Sequence, residues 1–261
     1  MNKAGNLGMH LHQTLSFCSL LARCDRNPAV FWPGCALMSL DPEILGRTLQ
    51  ILRRAEPEIG ISTCCCGQPT RYLFPAKSAS RQEWIRGILQ HQGVERVYTA
   101  CPNCGSELRE WSGVDVVSIW PVLAQYLQPE DVLGPGGYCV LHDPCPLRNS
   151  SAELDAVRFL CSVAGVSIME PAHSGVHTLC CGNRHMLHSR EPEKSEKLRQ
   201  LRVSEFPAGL PVVSCCEGCL GAFRGEGRDT FHLLELIFGR SKKRSWMNRF
   251  NLSWMKRALI C

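Results

Sequence analysis

No run in the 261-residue sequence approaches the roughly 18 consecutive apolar residues that a transmembrane helix needs. A helical membrane-spanning protein is therefore not expected. Only Lys3 is basic ahead of the weakly apolar stretch 15–22, and no clean small-x-small cleavage site accompanies it, so a secretory leader is not expected either. Acidic residues are absent from 240–261, which hold seven Lys or Arg, and the other 239 residues carry a net charge of −2. The overall +5 is thus a property of the tail. The body has no basic stripe with interleaved aromatics, which argues against nucleic acid as a partner. Charged residues make up only 20% and apolar residues 44%, ordinary values for a globular chain and far from those of a disordered one.

Cysteine, by contrast, is abundant at 17 residues. A secreted disulfide scaffold fits poorly: the count is odd, the chain is long for a stapled miniprotein, and adjacent cysteines cannot readily bridge each other. Free thiolates in a reducing cytoplasm fit better. The cysteines are also ordered. Cys65-Cys66-Gly67 and Cys101-Pro102-Asn103-Cys104 recur 115 residues later as Cys180-Cys181-Gly182 and Cys216-Glu217-Gly218-Cys219. Cys35 and Cys145 precede the two sets at a separation of 110. A shared offset over five positions marks an internal duplication.

Each repeat alternates short apolar runs with amphipathic stretches. The pattern predicts strands at 29–32, 59–62, 94–99 and 114–119, then at 138–141, 166–169 and 210–214. Predicted helices lie at 12–24, from Pro42 with the stripe Ile44, Leu45, Leu49 and Leu52, at 80–91, 101–111, 121–127, 152–164 and 191–205. The segment 230–238 matches the close of the first repeat, 116–123. This order predicts an α/β protein with parallel sheets in which the cysteine loops share one edge. The expected organisation is an N-terminal extension 1–27, a first domain 28–133, a linker 134–137, a second domain 138–239 and a tail 240–261.

Gly67 and Gly182 permit the turns that let adjacent cysteines face one site, and each C-x-x-C stands at a strand-to-helix junction whose backbone N–H groups favour thiolates. All-thiolate ligation suits zinc or an iron-sulfur cluster over magnesium or calcium. Zinc takes four ligands, so five thiols in each repeat favour an iron cluster with an extra or bridging thiolate. Cys18, Cys24, Cys64, Cys139, Cys161, Cys215 and Cys261 are read as small apolar residues. His142 and Asp143 are read chiefly as turn formers, with cluster tuning or proton donation as the alternative. His173, His177, His185 and His188 surround Cys180 in sequence but match no tetrahedral spacing, and surface or packing roles are expected.

Together with Pro33-Gly34-Cys35 and His142-Asp143-Pro144-Cys145, these motifs resemble the paired cysteine-rich CCG domains found in one subunit of heterodisulfide reductase. Related domains occur in iron-sulfur subunits of glycolate oxidase, anaerobic glycerol-3-phosphate dehydrogenase and the lactate-utilisation complex. The resemblance implies two tandem Rossmann-like domains related by a pseudo-twofold axis, with the cysteine loops meeting at their interface. It implies two 4Fe-4S clusters, noncubane in heterodisulfide reductase. One would be held by Cys35, Cys65, Cys66, Cys101 and Cys104, the other by Cys145, Cys180, Cys181, Cys216 and Cys219.

The implied activity is that of an oxidoreductase subunit within a complex, exchanging electrons between a ferredoxin-like or flavin-containing subunit and a disulfide or other small redox substrate. Pro146 stands where relatives often have His, and the upstream ferredoxin motif of several relatives is missing, so electrons would come from a separate subunit. The alternatives are a zinc-stabilised assembly module, with zinc in one or both sites, a redox sensor built on vicinal disulfides, and an electron relay of a 2-hydroxy acid or glycerol-3-phosphate dehydrogenase complex. In the tail, Trp246, Phe250 and Trp254 recur every four residues among Arg249, Lys256 and Arg257. That pattern admits an interfacial helix on the cytoplasmic face of a membrane, a docking helix for a partner subunit, or a solvated end.

Overall fold

The structure is a computed structural model and describes residues 3–134, 136–242, 244–245 and 247–252. It comprises two compact units, one formed by 1–119 with 242–261 and the other by 120–241.

Unit 1 holds a four-stranded parallel sheet of β1 (Ala29–Trp32), β2 (Gly60–Ile61), β3 (Arg96–Thr99) and β4 (Asp115–Ser118) in the order β2-β1-β3-β4. All four residues of β1 are buried, as expected of a central strand covered on both faces. The helices in chain order are α1 (Lys3–Ser16), α2 (Pro42–Ala55), α3 (Gln68–Leu73), α4 (Ser78–His91) and α5 (Pro102–Trp111). Asp41 caps α2 by accepting the Glu43 N–H, Pro42 opens it, and the predicted stripe Ile44, Leu45, Leu49 and Leu52 is buried.

The N-terminal helix ends earlier than the apolar pattern of 12–24 suggests. After Ser16 the chain turns, Leu21 and Ala22 bonding back to the Cys18 carbonyl. It then runs extended beside β2, where Cys24 bridges to Ser62 and the Asp25 carboxylate accepts the Ile61 N–H. The edge of β2 is better served by these partners than by another helical turn.

Unit 2 repeats the topology. After α6 (Ile119–Tyr126) come β5 (Gly137–Leu141), α7 (Ser151–Val163), β6 (Val166–Met169), α8 (Leu187–Arg190), α9 (Pro192–Val203), β7 (Val212–Ser214), α10 (Glu217–Arg224), β8 (Thr230–His232) and α11 (Leu233–Phe238). Its parallel sheet runs β6-β5-β7-β8. Two four-stranded parallel sheets flanked by helices are the α/β architecture expected of tandem Rossmann-like domains.

The tail segment α12 (Met247–Phe250) belongs to unit 1. Asn248 donates to the Ser39 and Leu40 carbonyls, and Arg249 is buried, bonding Ser16 Oγ at 2.6 Å and the Thr63 carbonyl at 2.8 Å. Arg249 therefore does not lie on a solvated rim around exposed aromatics. Trp246 and 253–261, which carry most of the predicted amphipathic face, fall outside the described residues. Among those described, no helix is long and apolar enough to cross a membrane.

Two substitutions on α2 separate core from surface. Leu49→Ala removes a side chain that is 1% exposed and should cost about 2–5 kcal/mol in denaturant unfolding. Arg47→Ala breaks only the exposed i,i+4 pair with Glu43 and should cost about 0–1 kcal/mol.

Candidate metal centre

Strands that run parallel deliver their C-terminal loops to one edge of the sheet. In unit 1, Cys35 follows β1, the run Cys64-Cys65-Cys66 follows β2, and Cys101 follows β3 and caps α5. In unit 2, Cys145 follows β5, Cys180-Cys181 ends the long loop after β6, and Cys216 follows β7 and caps α10.

All ten predicted cysteines are brought together as two quintets, one in each unit. In the first, thiol contacts run in an unbroken series from Cys35 to Cys65, Cys66, Cys104 and Cys101. In the second the same series runs from Cys145 to Cys180, Cys181, Cys219 and Cys216. The correspondence is position for position. None of the described cysteines is tied up in a disulfide.

Local devices hold these loops. Gly34, Gly67 and Gly182 adopt φ of +88°, +83° and +84°, a left-handed backbone open chiefly to glycine. Gly34 also brings the first loop onto the C-x-x-C: a Cβ there would lie 3.0 Å from Cys101 Cβ and 3.1 Å from Cys104 Sγ. Thr99 Oγ1 accepts the Cys101 N–H and Ser214 Oγ the Cys216 N–H, each at 3.3 Å. Neither hydroxyl is among the residues singled out from the motifs, although the two share the 115-residue offset of the cysteines and are legible by it.

In unit 2 the turn-forming reading of Asp143 fits its contacts. Its buried carboxylate pairs with both terminal nitrogens of Arg158, at 3.0 and 2.8 Å, and accepts the Gly175 N–H at 2.7 Å. Its carbonyl accepts the Thr178 hydroxyl, while Arg148 donates to the Thr178 carbonyl. The loop that ends in Cys180 is thereby tied to the loop carrying Cys145.

Thiols so close cannot all ionise, because adjacent buried negative charges repel. The protons therefore order. In unit 1, a hydrogen bond from Cys65, assisted by His12, holds Cys35 well below the usual thiol range. Bonds from Cys104 and Cys65 lower Cys66 to about 6. Cys65, shared between Cys35 and Cys66, is pushed well up, as is Cys104 between Cys101 and Cys66. In unit 2, bonds from Cys145 and Cys181 hold Cys180 far below its ordinary value, raising Cys145 and lifting Cys181 to about 12. Cys219 is raised by Cys181 and Cys216. Thiolates interleaved with thiols form a soft, electron-rich donor set ready to exchange protons for a thiophilic metal.

The remaining cysteines differ in kind. Burial lifts Cys64 to about 11 and Cys139 to about 12, keeping both protonated. Cys161 is likewise raised by burial. Cys261 lies outside the described residues.

The histidines found at the sites are His12 and His142. A nitrogen of His12 groups with Cys35 and Cys65 Sγ, and one of His142 with Cys181 and Cys219 Sγ, each group within 4.8 Å. No local spacing announces His12, which arrives from α1. Arg249 adds positive charge near Cys35 and Cys64. His173, His177 and His188 are exposed and His185 partly so; none joins a metal-binding group among the described residues.

The cysteine-rich domain family designated CCG matches residues 29–109 and again 139–224. No curated protein matches the chain. Among solved structures, an aspartate racemase homologue from Pyrococcus horikoshii OT3 aligns over 87% of this chain and 99% of its own, at 13% identity and a TM-score of 0.28.

The two CCG glycines offer a matched test. Alanine at Gly67 would meet only Ile85 Cδ1 at 3.8 Å, whereas at Gly182 it would stand 2.4 Å from the Ser195 carbonyl oxygen. Gly67→Ala should cost about 1–2 kcal/mol of left-handed strain. Gly182→Ala should cost about 1–3 kcal/mol more from overpacking. Denaturant midpoints of the two variants measure the difference.

Proposed function

The chain belongs to the CCG cysteine-rich domain family, and from that footing we propose that it is an iron-sulfur redox subunit resembling the CCG-domain component of heterodisulfide reductase. Its clustered cysteines already mark it as a metal-binding module of redox type. The observation that carries the finer reading is the pair of five-sulfur series, identical in order.

A closed zinc site uses four ligands, and a fifth sulfur in the same place of both series is surplus to it. Cys35, Cys65, Cys66, Cys101 and Cys104 would hold one 4Fe-4S cluster, and Cys145, Cys180, Cys181, Cys216 and Cys219 the other. When bound, such a group accepts and returns single electrons. The protein's own contribution is to gather the thiolates, to exclude water by seating them against the cores of β1 and β5, and to supply nearby positive charge from Arg249. The inferred electron partner is a ferredoxin-like or flavin-containing subunit, and the inferred substrate a disulfide or another small redox couple. Docking to a partner or a membrane surface is assigned to the tail, 240–261.

Protein purified without oxygen is expected to be brown and to contain iron and acid-labile sulfide. Cys66→Ser and Cys181→Ser should each empty their own site and leave the other filled. Because Cys65, Cys104, Cys145, Cys181 and Cys219 are held protonated, loading must release protons, so it should weaken as pH falls. Colourless protein carrying zinc, or no metal in air-protected material, would overturn the assignment.

A further inference from the structure

His142 directly follows β5 and is 1% exposed. Its distance to Cys181 and Cys219 makes it a candidate metal ligand. Its hydrogen bonding argues otherwise. Arg202 Nε donates to His142 Nδ1 at 3.0 Å, and a guanidinium N–H can only donate. Nδ1 therefore presents its lone pair to Arg202 and carries no proton. The proton of the imidazole must then sit on Nε2. Neither nitrogen is left with a free lone pair for a metal.

Nε2 is itself buried and has no hydrogen-bond partner in the protein. The ring, one of whose nitrogens lies within 4.8 Å of Cys181 and Cys219 Sγ, thus carries a buried N–H donor that lacks only an acceptor. Arg202 is not at liberty to release the ring. It is fully buried although it lies on the polar helix α9, and its Nη1 donates to the His173 carbonyl at 2.6 Å and to Glu205 at 2.7 Å. Its guanidinium lies over the Phe206 ring, 4.9 Å from the centroid. Phe223 packs edge-on against the imidazole with ring centroids 4.8 Å apart.

Unit 1 provides the contrast. His12 bonds Cys35 as well, but its Nδ1 faces the Gln13 side-chain amide at 3.3 Å. That amide is held by the Thr70 hydroxyl, which donates to Gln13 Oε1 at 2.6 Å, so His12 faces a neutral amide where His142 faces a charged guanidinium.

Resting on the iron-sulfur reading above, we propose that His142 Nε2–H donates a hydrogen bond to sulfur of the cluster held by the second quintet and does not ligate its iron. Arg202 is the positioning residue that fixes the tautomer. Hydrogen bonds to cluster sulfur stabilise the reduced, more negative state, so this donor raises the reduction potential of the second site.

The test uses full-length protein labelled with 15N-histidine and purified without oxygen. Iron and sulfide are measured first, so that a missing cluster counts against the cluster reading and not against the tautomer. Pulsed EPR of the reduced protein should then show an exchangeable proton coupled to the cluster that is lost in His142→Leu, with a fall in midpoint potential and undiminished iron. Arg202→Lys, which keeps a donor to Nδ1, should preserve both signals. Arg202→Met frees the tautomer and should weaken the proton coupling. A strong coupling to iron-bound histidine nitrogen that disappears in His142→Leu would overturn the proposal, as would an unchanged potential in that variant. Should His142→Leu fail to fold, His142→Gln removes the imidazole but keeps an amide donor. It should retain the proton coupling, and loss of an iron-bound nitrogen signal in this variant would equally overturn the proposal.

Discussion

Five cysteine sulfurs pressed together at the end of a parallel sheet are the constraint to which each unit is built. Crowded thiolates repel one another, so along each series shared protons leave some sulfurs charged and their neighbours neutral. Cys66 at about 6 and Cys181 at about 12 are two outcomes of that rule, one flanked by donors and the other acting as one. The left-handed turns at Gly67 and Gly182, the start of a helix at each C-x-x-C, and the hydroxyls of Thr99 and Ser214 all serve to hold the sulfurs where mutual repulsion would separate them.

The two units meet this demand with different supports. In unit 1 the path from β2 to Cys65 is short, and the extended segment after α1 secures it through Cys24, Asp25 and the Arg23 carbonyl, which accepts the Thr63 N–H. Arg249 then ties Ser16 to Thr63, so both ends of the chain contribute to the surroundings of one site. In unit 2 the loop from β6 to Cys180 is long and has no neighbouring strand to pair with among the described residues. Asp143 and Arg148 take the place of backbone partners, and Ser195 Oγ on α9 donates to the Gly182 carbonyl to hold the turn. A duplicated set of sulfurs thus sits in two electrostatic settings, one with Arg249 nearby and one with Arg202 bonded to His142.

Membership of the CCG family and the sulfur geometry converge on a metal-binding redox module by independent routes. The family match concerns the recurrence of residues along the chain. The geometry concerns thiols that the chain separates by up to 74 residues and the fold brings into contact. Soft donors seated largely against an apolar core favour a thiophilic centre.

Much of this was legible in the sequence. Strand 166–169 falls where its β-rich run predicts, and the α2 stripe is buried as its 3.6-residue period requires. Eight of the ten cysteines declare themselves through a 115-residue offset and Cys35 and Cys145 through one of 110, because a duplicated chain must repeat whatever its site needs. Local pattern misplaced the N-terminal helix, since the competing partner for residues 22–25 is β2, about forty positions away. His12, Arg202 and Arg249 were not legible at all. Their meaning lies in contacts with Cys35, with His142 sixty positions distant and with Ser16 at the far end of the chain. Periodicity and motif spacing determine which residues can bind; which protons, charges and lone pairs they present is decided by neighbours that only the folded backbone supplies.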